Sequence, residues 1–199
     1  MKSMSKNKKK IIIVTILIFF LLAGYFLYMQ EQGNFHQVTP GEAYRSAQLD
    51  RDEFEYYIKK YHIKSVVNLR GKNADAPWYK EETEACAEQN VRHFDISLSA
   101  TDEPKEEDIR RLIEIFISAP RPLLMHCQAG ADRSGLAAAM WKVVVDHEPK
   151  SEARKQLSLL YGHIPIGKTT ILDRFFENWA PVAGVTDQPQ YNERAEQKN

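Results

Sequence analysis

The stretch His126-Cys127-Gln128-Ala129-Gly130-Ala131-Asp132-Arg133-Ser134-Gly135 decides how the rest of the chain is read. Five residues separate Cys127 from Arg133, the apolar run Pro122-Leu123-Leu124-Met125 leads in, and residues 135–145, apolar nearly all round, lead out. That order predicts a short buried strand, a tight turn and a buried helix. A turn of this kind aims successive backbone N–H groups at one point, and the orphan donors of a helix start add to them, so the point suits an oxyanion. Gly130 permits a backbone conformation that a side chain would hinder.

The side chains fit the same purpose. Arg133 supplies a planar two-pronged donor for two phosphoryl oxygens, a geometry that lysine cannot copy. Cys127, placed in this field, is expected to react as a thiolate nucleophile. His126 reads as a buried support bonded to neighbouring backbone rather than as a general base, since an ionised cysteine needs none. Ser134 can hydrogen-bond the sulfur, cap the following helix, or do both. Gln128, Ala129, Gly130, Ala131, Asp132 and Arg133 complete the expected phosphate-binding loop.

Outward from the loop, helical and strand patterns alternate. Phe54, Tyr57, Ile58 and Tyr61 mark a helix, residues 63–69 a β-branched strand, residues 78–89 a second helix and residues 91–96 a second strand. Ile109, Leu112, Ile113, Phe116 and Ile117 form one apolar stripe of a helix closed by Pro120, and two more helices are expected over 151–161 and 168–179. The expectation is an α/β fold. Its central, mostly parallel sheet of four to five strands is flanked by helices and preceded by one transmembrane helix.

Residues 11–29 carry no charge and are long enough to span a bilayer core of about 30 Å. Their apolar run exceeds that of a cleavable signal, and the bulky Tyr25-Phe26-Leu27-Tyr28 follows Ala23-Gly24, so an uncleaved signal anchor is expected. Lys2, Lys6, Lys8, Lys9 and Lys10 flank only the N-terminal side, which keeps that end cytoplasmic and the remainder extracytoplasmic. Residues 1–10 thus form a basic N-terminus, 30–37 a linker, 38–181 the folded domain and 182–199, polar and without hydrophobic period, a disordered tail. Without the five lysines, 22 basic side chains face 27 acidic ones, which argues against nucleic acid as partner. Two cysteines make no disulfide framework; Cys86 reads as a small buried residue.

The string from His126 to Gly135 resembles the signature of protein tyrosine and dual-specificity phosphatases, and the resemblance covers roughly residues 35–179. Tyr44-Arg45-Ser46-Ala47-Gln48 and Val67-Asn68-Leu69-Arg70-Gly71 are similar to bacterial members of the compact dual-specificity type. The resemblance implies four parallel central strands, hydrolysis of a phosphomonoester through a phosphocysteine, no metal or cofactor, and a phosphorylated protein, lipid or small molecule as substrate. It also implies an aspartate as general acid on a loop, for which Asp102 in Ser99-Ala100-Thr101-Asp102-Glu103-Pro104 is the choice and a plain helix cap the alternative. Asp132 is the rival acid, in an arrangement similar to that of myotubularin-type lipid phosphatases; otherwise it orients Arg133 or a neighbouring loop. The loop lacks the lysines with which phosphoinositide 3-phosphatases hold extra phosphates, so polyphosphorylated inositides are disfavoured. A catalytically silent phosphate-binding module and a rhodanese-type sulfurtransferase remain the competing readings, and nothing in the residues fixes an oligomeric state.

Overall fold

The computed structural model describes residues 5–180; residues 1–4 and 181–199, the latter holding the expected tail, lie outside them. The described chain divides into two compact units between Gln32 and Gly33. The first is helix α1 (Lys6–Glu31), whose segment Asn7–Met29 has a mean hydropathy of 2.7 and is long and apolar enough to cross a membrane. At 1.5 Å per residue those 23 residues reach about 35 Å, more than the hydrocarbon core of a bilayer.

The second unit is built on strands β1 (His36–Thr39), β2 (Ala43–Ser46), β3 (Ser65–Asn68), β4 (Arg92–Asp95) and β5 (Leu123–His126). Helices α2 (Arg51–Tyr61), α3 (Pro77–Glu88), α4 (Glu106–Ser118), α5 (Asp132–Val144), α6 (Lys150–Ala153) and α7 (Thr170–Asn178) surround them. The sheet order is β1-β2-β5-β3-β4, parallel throughout except for β1, which runs antiparallel to β2. This is the mostly parallel sheet the alternation of elements predicts.

Side chains alternate across the pleat and fill two cores. Ala43, Val67, Leu123 and Met125 face α4, α5 and α7, whereas Tyr44, Val66 and Leu124 face α2 and α3. Helix α5 is sunk in the larger core, with Leu136 through Trp141 fully buried, which explains why its sequence is apolar on every side. Burying its Leu136 and Met140 contributes roughly 1.5–3 kcal/mol each. Local signals agree with these ends: Asp50 caps α2 in a reciprocal box with Glu53, and Pro77 opens α3.

Two regions differ from expectation. The segment around residues 38–48, read as turn chemistry and an unassigned motif, is the β1–β2 hairpin, tied to α5 by the Trp141 indole N–H, which donates to Thr39 Oγ1 at 3.0 Å. The single helix expected over 151–161 is instead α6 followed by two 3-10 turns, Arg154–Gln156 and Leu159–Tyr161. The carbonyl of Gln156 accepts from Arg45 Nη1 at 2.7 Å, and Ser158 is extended, so the helical ladder cannot continue past that point.

Candidate active site

The parallel strands place Ser46, Asn68, Asp95 and His126 in register at one edge of the sheet. Ligand crevices of open α/β sheets lie beyond that carboxyl edge. Cys127 leaves the central strand β5 there, only 2% exposed, and the chain turns through residues 128–131 into α5. Helix α5 starts at Ala131 without a side-chain cap, so its first N–H groups stay available.

What shapes the turn is a set of ties to its carbonyl groups. Gln48 N–H donates to the carbonyl of Gln128 at 3.1 Å. Asn34 Nδ2 donates to that of Ala129 at 3.0 Å, and Arg45 Nη2 to those of Gly130 and Ala131, both at 2.9 Å. In a planar trans peptide the following N–H points opposite to the carbonyl. Four outward carbonyls therefore turn the N–H groups of residues 129–132 to the other side, where among the described residues they meet no protein acceptor. Gly130 has φ +70°, and an added Cβ would lie 2.6 Å from Ala47 N and 2.9 Å from Asn34 Nδ2. The glycine is needed both for its backbone angle and for the close approach of the ties.

Arg45 is completely buried beneath the turn and stacks 4.5 Å from the Tyr161 ring centre. Burial lowers its pKa to about 10 against the opposing pull of Cys127, Tyr161 and Asp132, so it stays cationic at neutral pH. At the mouth, the Arg133 Nε is buried with no protein partner, a donor left for an anion. Ser134 Oγ lies 3.5 Å from Cys127 Sγ, within hydrogen-bond reach of the sulfur.

His126 is buried as expected, but its partner is a carboxylate and not neighbouring backbone. Its Nε2 meets Glu82 Oε1 of α3 at 3.1 Å. Glu82 also meets His93 Nε2 at 2.7 Å and accepts from Gln48 Nε2 at 2.8 Å. Burial pushes the Glu82 carboxyl up, yet the charge of His126 and these hydrogen bonds outweigh it and hold the group well below the usual carboxylate range. Arg70 donates to Gln48 Oε1 at 2.8 Å and lies flat on Trp78, 3.7 Å from the ring centre. Burial, then repulsion from Arg133, lowers its pKa, which puts Arg70 in the field of the same mouth.

The two candidate acids are placed differently. Asp102 is exposed and accepts from Ser99 Oγ at 2.6 Å within its own loop. Asp132 is bound to His163 Nδ1 at 2.7 Å, and the other nitrogen of His163 meets Asp173 Oδ2 at 3.0 Å. Burial lowers the pKa of His163, but the hydrogen bonds and charges of the two carboxylates prevail and raise it. Asp132 therefore ties the loop around residue 163 to the turn. Cys86 is buried and free, its thiol pushed up to about 12 by burial and by Glu82.

Asn34, Glu82 and His163 lie far from the turn in sequence and carry no local signal of their role. Arg45 and Gln48 stand inside the motif from Tyr44 to Gln48, where an arginine between strand-forming neighbours was the available hint.

The family model described as "DSP-PTPase phosphatase fused to NAD+ Kinase" matches residues 28–169. The chain belongs to this family. Among curated proteins, this DSP-PTPase chain is 28% identical to the dual specificity protein phosphatase TpbA of Pseudomonas aeruginosa over 126 residues, 62% of this chain. The match spans 53% of that relative, about half its length. Solved structures share the fold. The catalytic core of the PP-IP phosphatase SIW14 from S. cerevisiae aligns with TM-score 0.60, 16% identity and coverage of 83% of this chain and 93% of that one. P. aeruginosa TpbA in complex with pTyr gives 0.55, 20% identity, 82% and 91%; PTPMT1 gives 0.52, 15%, 82% and 99%.

Proposed function

We propose that the chain hydrolyses phosphomonoesters of the tyrosine or dual-specificity kind through a phosphocysteine intermediate, at the surface of a membrane in which α1 is anchored. The observation that carries this reading is the set of four outward-tied carbonyls, which leaves a ring of N–H donors beside Cys127 and the unpartnered Arg133 Nε. Such preorganised donors stabilise the charge that develops on a transferring phosphoryl group. The Cys127 sulfur attacks phosphorus in line, forming the S–P bond as the ester P–O bond breaks, and the departing oxygen takes a proton from Asp102. Water then attacks phosphorus, giving a proton to the Asp102 carboxylate as the S–P bond breaks, and Ser134, hydrogen-bonded to the sulfur, stabilises the departing thiolate.

Asp102 is preferred as acid because it stands exposed on its own loop, whereas Asp132 is held by the buried His163, which also meets Asp173. With Asp132 and no lysine in the turn, a monophosphorylated substrate fits better than a polyphosphorylated one, and the pTyr complex of the relative TpbA is in keeping with that choice. Lys2 and the lysines at the start of α1, Lys6, Lys8, Lys9 and Lys10, support a cytoplasmic N-terminus and an extracytoplasmic catalytic unit.

Turnover of para-nitrophenyl phosphate, blocked by vanadate and lost in Cys127→Ser, is the expected result; binding of phosphate without turnover would instead support a silent docking module. Asp102→Asn should slow an alkyl phosphate by roughly 10²–10⁴ and an aryl phosphate much less. Equal, negligible losses on both would remove Asp102 from the mechanism. A topology reporter joined after Trp179 is expected to score as extracytoplasmic.

A further inference from the structure

Residues 157–167, Leu-Ser-Leu-Leu-Tyr-Gly-His-Ile-Pro-Ile-Gly, contain no Asp, Glu, Lys or Arg in a chain that is 27% charged. Outside α1, the exposed large apolar side chains of the described residues are Tyr56 and then Leu159, Leu160, Ile164 and Ile166, so this surface is concentrated in one segment. Leu159 is 60% exposed and Ile166 75%. Single exposed apolar side chains are ordinary, whereas a cluster marks a contact site.

The backbone beneath these side chains is fixed. His163 is fully buried between Asp132 and Asp173. Thr169 Oγ1 donates to the carbonyls of Ile164 at 2.7 Å and Ile166 at 3.1 Å. Asn34 Nδ2, which ties Ala129 of the catalytic turn, also donates to the Tyr161 carbonyl at 3.0 Å. The segment is thus an apolar collar beside the phosphate site, held outward at both ends.

We infer that the collar of residues 157–167 seats on the lipid interface of the membrane that holds α1. The inference rests on the membrane attachment proposed above. Asn34 follows Glu31, the last residue of α1, by three positions, a chain reach of about 10 Å. The Tyr161 carbonyl is thus tied to a residue that follows the end of α1 by three positions in the chain. An apolar loop with a tyrosine in it and Lys168 at its end has the composition of an interfacial segment, with apolar side chains in the acyl boundary and the cation at the headgroups.

The test uses the full chain in vesicles of phosphatidylethanolamine and phosphatidylglycerol. Ile166→Cys in a Cys127→Ser background, labelled with a nitrobenzoxadiazole dye, should emit further to the blue than the same dye at Lys59→Cys. Nitroxide-labelled lipid should quench it about threefold more strongly, and adding Leu159→Asp should weaken that quenching, as apolar burial predicts. The variant Leu159→Asp/Ile166→Asp with Cys127 intact should keep para-nitrophenyl phosphate turnover within about twofold, which checks that it folds. A dye at residue 166 that stays in water and escapes lipid quenching overturns the inference. So does a native dimer that this variant splits while the dye remains unquenched, because the collar then meets a second copy. Absence of turnover in the native chain, with the dye still quenched by lipid, would defeat the catalytic proposal and leave the lipid seat standing.

Discussion

The turn of residues 128–131 rests on two supports of opposite charge. On one side the buried Arg45 grips the carbonyls of Gly130 and Ala131; on the other the buried Glu82 holds His126, the residue just before Cys127. The cation acts on main chain and so sets where N–H groups point. The anion acts on a side chain and sets the imidazole, while Gln48 joins the two sides by donating its N–H to Gln128 and its amide to Glu82. A positive charge beneath the turn favours an anion in the nest, and a negative charge is tolerable nearby only because three donors consume it. The two sides therefore differ in kind: one sets the main chain of the turn, the other holds the imidazole of His126.

Breaking the cationic side should have the largest effect. Arg45→Met leaves the carbonyls of Gly130 and Gln156 without this donor in the interior and should lower stability by about 3–5 kcal/mol, measured by urea unfolding. Turnover of an aryl phosphate should fall by roughly 10²–10³, as when an oxyanion donor is lost, and Arg45→Lys should restore only part of it. Glu82→Gln keeps the shape of the anionic side but weakens its bonds to His126 and His93. A loss of about 1–3 kcal/mol and about tenfold in kcat is expected. If Glu82→Gln proved the more damaging of the two, the division of roles drawn above would have to be reversed.

The third charged support, His163 against Asp132 and Asp173, should give the smallest effect, visible in its pH dependence. Its pKa is raised by folding, so its stabilisation is complete below the unfolded value near 6.5 and fades as pH rises through the folded value. The difference in unfolding free energy between the native protein and His163→Asn should accordingly shrink as pH is raised above 6.5. A difference that instead grew with pH would mean that His163 is held neutral.

The sequence made α2, α4 and α5 legible because each carries a stripe or a wholly apolar surface, α3 because helix formers follow Ala76-Pro77, β3 and β5 through β-branched or apolar runs, and β4 through alternation. The β1–β2 hairpin was not legible. Its inner strand buries two polar residues, Arg45, whose partners are distant backbone carbonyls, and Ser46, which donates to the carbonyl of Ala47, so no alternation announces it. The broken helix near residue 157 fails for the same cause, since its ladder yields to Arg45. In the site, Cys127, Arg133, Ser134 and Gly130 could be read because the chemistry needs those residue types at that spacing. Asn34, Glu82 and His163 could not, because their contribution exists only once β1, α3 and the collar are packed.

The carbonyl ties also separate two properties that enzymes often confound. None of the holding bonds uses a side chain of Gln128, Ala129, Gly130 or Ala131, so the nest keeps its geometry whatever the exposed Gln128 and Ala129 become. On the mechanism proposed, affinity for the phosphoryl group and preference for what it is attached to can then change independently, the first written in Asn34, Arg45 and Gln48, the second in the exposed Gln128 and Ala129. A scaffold of this kind can be retuned toward a new substrate by exchanging exposed positions while its reactive centre is left untouched.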